Sequence, residues 1–215
     1  MAQVKKDQIR VAILKSAEAQ FRQRGYGGAT LRAIAKGADV SLANIYAYFS
    51  SKMEILFELY VPWFKTWLER LEQRALAVPD PQKRLRLIVR ALWCEMPTEV
   101  NGMHINLLQA VSSTLPDDYD LSLLRWAEDR LANLLKTCLP QDRNLTAKNL
   151  RDIAQILIMT GDGFTLISRI DEESACTDAK IEAVCRLIAP DALSRVVELP
   201  KAPPSARSQR RSVRE

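Results

Sequence analysis

The sequence predicts an all-α fold, and three observations carry that prediction. Apolar residues recur at spacings of three and four, no stretch alternates apolar and polar residues as a strand does, and prolines divide the chain into helix-length pieces. With 215 residues, 47% of them hydrophobic, the chain can bury a core in one or two domains.

The elements follow in order. A first helix is expected from about Asp7 to Arg24, closed by Gly25, with Gly27 and Gly28 in the loop beyond. Thr30 caps a second helix whose Leu31, Ile34 and Ala35 share one face, and Ser41 caps a third with Ile45 and Phe49 on its inner side. Between them Ala38-Asp39-Val40 is short enough to force a sharp crossing. Ser51 and Glu54 make a capping box that opens a longer helix towards Leu76, with Pro62 inside it as a bend. That bend is either a mechanical link or a corner between domains. Pro79-Asp80-Pro81 ends this helix, and further helices are expected over 82–96, 103–114, 118–138, 146–170 and 178–188, with Pro97, Pro116, Pro140 and Pro190 at the joints. From Lys201 the sequence KAPPSARSQRRSVRE has almost nothing to bury and reads as a flexible basic tail. The expected domains are 1–52, 53–200 and the tail 201–215.

Charge is divided unevenly. Residues 1–56 carry nine Lys or Arg against four acids, and 201–215 carry five against one, so the positive charge sits at the two ends while the middle is acidic. An anionic polymer can meet those ends. Cys94, Cys138, Cys176 and Cys185 are far apart, with no C-x-x-C and a single histidine, so no metal-site spacing exists and the thiols read as reduced. No apolar segment of signal-peptide or membrane-spanning length is present, and a cytoplasmic location is expected. The middle region offers no nucleophile beside a candidate base, which argues against an enzyme. No cofactor is expected. Thr160-Gly161-Asp162-Gly163 lacks the strand, spacing and lysine of a phosphate loop, and its glycines read as close packing or a pocket wall.

The stretch from Thr30 to Lys52 is the most informative. Two short helices at a tight turn leave Leu42, Ala43, Asn44, Tyr46 and Tyr48 on the outer face of the second, a small, hydrogen-bonding surface without an acid, suited to a duplex groove. These residues resemble the N-terminal domain of the TetR family of transcriptional regulators. The resemblance runs from about Ile9 to Leu56 and rests on Ile13-Leu14, Ala17, Phe21, Gly25-Tyr26, Thr30, Ile34-Ala35, Ala38, Val40-Ser41, Ile45-Tyr46, Phe49 and Lys52. Asp39 and Ala43 stand where the family usually or often has glycine; Asp tolerates the left-handed backbone, and Ala43 is small enough for a groove.

Base reading is expected from Leu42, Ala43 and Asn44, with Arg32 reaching from the supporting helix. Thr30 offers a hydroxyl and a helix N-terminus to a phosphate, Ser41 caps the reading helix, and Lys5 and Lys6 form a short arm towards the minor groove. The resemblance implies that Lys52 binds phosphate and that Tyr46 and Tyr48 meet the sugar-phosphate backbone. It implies a homodimer on an inverted-repeat operator in double-stranded DNA. The dimer would form through the last two long helices, with Leu150, Ile153, Leu157, Gly161, Phe164, Ile181, Val184 and Ile188 as interface residues. It further implies a central pocket for a small apolar or aromatic effector, for which the large central side chains Trp63, Trp67, Trp93, Trp126, Met96, Met159 and the sole histidine, His104, are the candidates. Together these imply a repressor released from DNA by its effector; activator action, or DNA binding without a ligand, is the alternative.

Overall fold

The computed structural model describes residues 2–113, 120–139, 144–171 and 176–190 and is all-α as expected, with nine α-helices and no strand among the described residues. The helices are α1 (Ala2–Gly28), α2 (Leu31–Gly37), α3 (Leu42–Tyr48), α4 (Lys52–Leu76), α5 (Pro81–Arg90), α6 (Met103–Ser112), α7 (Ser122–Lys136), α8 (Ala147–Ile167) and α9 (Asp178–Ile188). The expected tail 201–215 and the joints at Pro116 and Pro140 lie outside the described residues.

Helix ends follow the expected chemistry. Gly25 takes a φ of 68°, which interrupts α1 where the sequence placed its stop. Thr30 Oγ1 accepts the N–H of Ala33 at 3.1 Å, and Ser41 Oγ accepts that of Asn44 at 3.1 Å. Ser51 Oγ caps α4 by accepting from Glu54 N, but the Glu54 carboxylate reaches one residue beyond a capping box and accepts from the N–H and hydroxyl of Ser50. Asp80 caps α5 by accepting from the N–H groups of Gln82 and Lys83. Two expectations change. The segment 82–96 is not one α-helix: after α5 it widens into a π-helical turn, Ala91–Glu95, where Met96 N donates to Ala91 O at 2.9 Å. Lys5 and Lys6 lie on α1, which begins at Ala2, and so form no separate arm.

One core joins α1, α2, α3 and the start of α4 through Ile13, Phe21, Ile34, Ile45, Phe49 and Leu56. A second joins α5, the π turn, α7, α8 and α9 through Ile88, Trp93, Leu135, Leu157 and Ile181. Helix α4 serves both ends of the molecule, with Ile55 and Leu56 in the first core and Leu68 and Leu71 packed beyond it. Pro62 lies within this continuous helix, exposed, and its carbonyl accepts the Thr66 hydroxyl at 2.9 Å. Helix α6 is a second bridge, because its Ala110 belongs to the first core while Met103 and Leu107 pack with Tyr60. Arg84 fastens the α4–α5 corner by donating to the carbonyls of Ala75 and Val78 and, from Nη1, to Thr137 at the end of α7.

Candidate nucleic-acid interface and central cavity

The α2–turn–α3 unit is built from the inside outwards. Ile45 and Phe49 are fully enclosed, so the helical period turns Ala43, Asn44, Tyr46 and Ala47 to solvent. Tyr46 is 56% exposed; Leu42 and Tyr48 are half-buried, and Tyr48 packs against the core. Arg32, Ser41 and Thr30 are exposed. The structure therefore brings Thr30, Arg32, Ser41, Leu42, Ala43, Asn44, Tyr46 and Tyr48 together around one short helix with no acidic neighbour on it. The turn survives the substitution of the usual glycine: Asp39 adopts φ 55°.

Sequence reasoning passed over Gly37. A Cβ there would stand 2.3 Å from Ser16 Oγ, which donates to Ile34 O at 2.8 Å across the α1–α2 contact. The glycine thus lets α2 lie against α1 at its last turn. The signal was legible only after the fold, since nothing in the sequence relates positions 16 and 37.

Lys52 has partners other than those expected of a phosphate-binding residue. Its Nζ donates to Tyr26 O at 2.6 Å and Ala29 O at 2.9 Å and lies 4.1 Å from the centre of the Tyr26 ring. Burial holds its ammonium below the ordinary value of 10.5. It closes the link between α1 and α2, with one ammonium N–H left over for any other acceptor.

Beyond this unit, α4, α6, α7, α8 and the π turn enclose a cavity of about 250 Å³. Its walls are apolar, with Phe64, Leu92, Leu107, Leu124 and Ile158 among them, and its polar side chains are Tyr60, His104 and Asp162. His104, only 7% exposed, shares a proton with the Tyr60 hydroxyl through Nδ1 at 3.1 Å and meets Asp162 Oδ1 through Nε2 at 2.8 Å. Of the residues expected in a pocket, Met96 and His104 line this cavity and five do not. Trp93 is buried in the second core, its indole N–H donating to Leu157 O at 2.9 Å and its ring set against Phe164. Trp63, Trp67 and Trp126 pack around Phe64 outside the cavity, with the guanidinium of Arg130 and the ammonium of Lys65 over the Trp126 ring. Met159 is 64% exposed, because it falls on the opposite side of α8 from Leu157 and Gly161. Bulk alone selected these residues, and bulk does not report the direction in which a helix turns them.

The interface expectation changes for a similar reason. Leu150, Leu157 and Ile181 are buried within their own subunit's core, and Ile153, Phe164, Val184 and Ile188 pack partly against it. Gly161 faces inward too, where a Cβ would stand 2.9 Å from Leu92 O, so it permits α8 to press on the π turn; around Gly163 there is open space. The large apolar residues that α8 and α9 turn to solvent are Ile156, Met159, Leu166, Ile167 and Leu187.

The two parts meet on α6. Asn106 donates through Nδ2 to Phe21 O at 3.3 Å, and Gln109 Oε1 accepts from Tyr26 N at 3.0 Å, both at the end of α1. The other side of α6, with His104, Leu107, Leu108 and Val111, lines the cavity. Neither amide was picked out from the sequence, where a lone Asn or Gln in an amphipathic helix carries no signal.

Comparison with known proteins agrees with this geometry. Residues 13–59 match the family model of bacterial regulatory proteins, tetR family. A probable HTH-type transcriptional regulator, YttP of Bacillus subtilis (strain 168), is 33% identical over 79 residues, 36% of this chain and 38% of that protein; the similarity therefore spans well under half of the relative's length. Among solved structures, the fold is similar to the transcriptional regulator FadR from Bacillus subtilis in complex with stearoyl-CoA, at a TM-score of 0.61 and 20% identity over 83% of this chain and 97% of that one. It is also similar to AibR in complex with isovaleryl coenzyme A and operator DNA, at a TM-score of 0.53 and 18% identity over 85% and 98% of the two chains. At such identities the likeness is one of fold. Among the described residues no helix is long and apolar enough to cross a membrane.

Proposed function

By its N-terminal domain this chain belongs to the tetR family of bacterial regulatory proteins, and from that premise we propose that it is a repressor of transcription whose hold on DNA is weakened by a small, largely apolar effector in the central cavity. The observation that carries the proposal is the double use of α6. One side holds the end of α1 through Asn106 and Gln109, and the other forms a wall of the cavity, so a ligand that shifts α6 shifts the helix on which the α2–α3 unit is mounted. Complexes of fold neighbours with stearoyl-CoA and with isovaleryl coenzyme A plus operator DNA support a cavity ligand coupled to DNA.

In this reading α3 enters the major groove. Leu42, Ala43, Asn44 and Arg32 meet base edges, and Thr30, Tyr46 and Tyr48 meet the backbone. Two such helices in a homodimer, related by a two-fold axis, read an inverted repeat in the cytoplasm. The energetic requirement on the effector is modest. A hundredfold preference for the DNA-incompetent arrangement biases it by about 2.7 kcal/mol. Anisotropy of labelled DNA from upstream of the gene, against shuffled DNA at two salt concentrations, tests the proposal. Preference for the upstream DNA of about a hundredfold, with one dimer per site, is the expected result. Equal, salt-sensitive binding to both at every candidate operator would refute it. Activation of transcription is the alternative, and the position of the bound site relative to the promoter separates the two.

A further inference from the structure

The cavity is chemically one-sided. Its polar side chains converge at one place, where Tyr60 of α4, His104 of α6 and Asp162 of α8 form a hydrogen-bonded chain, and no lysine or arginine is among its described lining residues. A carboxylate only accepts, so His104 donates to it from Nε2; in the neutral ring Nδ1 then accepts the Tyr60 hydroxyl proton. One bond to an imidazole leaves most of the acceptor capacity of Asp162 unused, and its side chain is one-third exposed. An acceptor of negative charge between apolar walls favours a ligand that brings a donor and a positive charge.

We infer that the effector is a compact lipophilic amine, its apolar or aromatic body among Phe64, Leu107, Leu124 and Ile158 and its ammonium against Asp162. This rests on the reading of the cavity as the effector site and adds the ligand's class. The volume of about 250 Å³ falls below the roughly 300–1,000 Å³ of sites for drug-sized ligands, so the body is small. An acid of the same size would set its carboxylate beside Asp162 with no cation among the described lining residues to offset it. The same geometry supplies a route to DNA. An ammonium on the unused side of the Asp162 carboxylate lies one hydrogen bond from His104, which sits on α6, the helix whose other side holds α1, and is bonded in turn to Tyr60, two residues before Pro62 on α4.

Three probes of one shape test this on the intact protein: phenylbutylamine, phenylbutanol and phenylbutyrate, with affinity read by calorimetry and DNA binding by anisotropy. The amine is expected to bind at least about tenfold more tightly than the alcohol, equivalent to about 1.4 kcal/mol, and the acid most weakly. Asp162→Asn is expected to bring the amine to the alcohol's affinity while leaving the alcohol within about twofold. Leu108→Trp, which fills the cavity, should remove binding of all three. Binding of all three without preference for the amine, or a preference that persists in Asp162→Asn, overturns the ligand class and leaves the cavity reading standing. Tight binding of the amine with no change in DNA affinity overturns the regulatory reading instead, and binding of none overturns both.

Discussion

Gln109 accepts the backbone N–H of Tyr26 at 3.0 Å, and with that bond a side chain on the cavity-lining helix caps the end of the first helix of the DNA-binding unit. The same oxygen lies 3.5 Å from Gly27 N, so one amide serves the segment that follows the break at Gly25. Replacing it removes this side-chain acceptor from both N–H groups. Gln109→Leu is expected to cost about 1 kcal/mol in urea unfolding and to speed amide exchange at Tyr26 and Gly27 selectively. Unchanged exchange at both amides would show that the bond does not hold the two parts together.

Gly37 is fixed by a side chain twenty-one positions earlier in the sequence. Gly37→Ala pushes a methyl to 2.3 Å from Ser16 Oγ and is expected to destabilise by about 1–3 kcal/mol. In a Ser16→Ala background the nearest remaining atom is the Cβ of residue 16 at 3.4 Å, an ordinary contact. The penalty of Gly37→Ala should then fall by more than half in a double-mutant cycle. An additive cycle would place the cost elsewhere in α2.

These two contacts show where the sequence stopped being informative. The all-α class, the caps at Thr30, Ser41 and Ser51 and the left-handed Asp39 were legible because each depends on residues within four positions of one another. The family pattern added the outer face of α3, where Asn44 and Tyr46 are exposed as the helical period requires. The inward or outward sense of α8 was not legible, because Leu157 and Met159 are equally apolar and only the partner helices decide which is buried. For the same reason the tryptophans were drawn into the cavity by their size, while Tyr60 and Gln109, whose roles rest on pairings more than forty residues apart, went unread.

Lys52 separates two kinds of basic residue. Tied to the carbonyls of Tyr26 and Ala29, it acts first on the architecture of the α1–α2 link. Lys52→Met is expected to lower the melting temperature and to weaken binding to every DNA sequence alike. The slope of log affinity against log salt should change by well under the roughly 0.9 that one lost phosphate contact produces. A change of a full contact would return Lys52 to the phosphate-binding set.

Glu54 gives the N-terminal unit a modest sensitivity to acid. Hydrogen bonds from the Ser50 hydroxyl and backbone N–H hold its carboxyl below the ordinary 4.5. A depressed folded value means that the native state favours the ionised form. The contribution is therefore complete above pH 4.5 and is lost as the pH falls through the lower folded value. The group is almost wholly in solvent, so the effect stays below about 1 kcal/mol. Stability measured from pH 6 to pH 3 should fall less steeply in Glu54→Gln than in the parent chain; parallel curves would remove Glu54 as a source of the acid slope.

The subunit interface we propose lies on the faces of α8 and α9 that turn away from the subunit's own core. Ile156, Met159 and Ile167 recur on one side of α8 at helical spacing, and Leu187 stands 79% exposed on α9. Apolar side chains so arranged and uncovered are expected where a second copy packs. Ile156→Arg combined with Leu187→Arg should convert a dimer to monomers in sedimentation velocity at micromolar concentration, with circular dichroism unchanged. DNA affinity should fall by more than about tenfold, because the two half-sites are then bound independently. Leu157→Ala makes the contrasting case: it lies one residue from Ile156 but is fully buried, so it should cost about 2–5 kcal/mol of folding stability and leave association intact wherever the chain is folded. If the paired arginine variant remained dimeric while Leu157→Ala dissociated, the interface would belong to the inward side of α8 and this assignment of its two faces would be reversed.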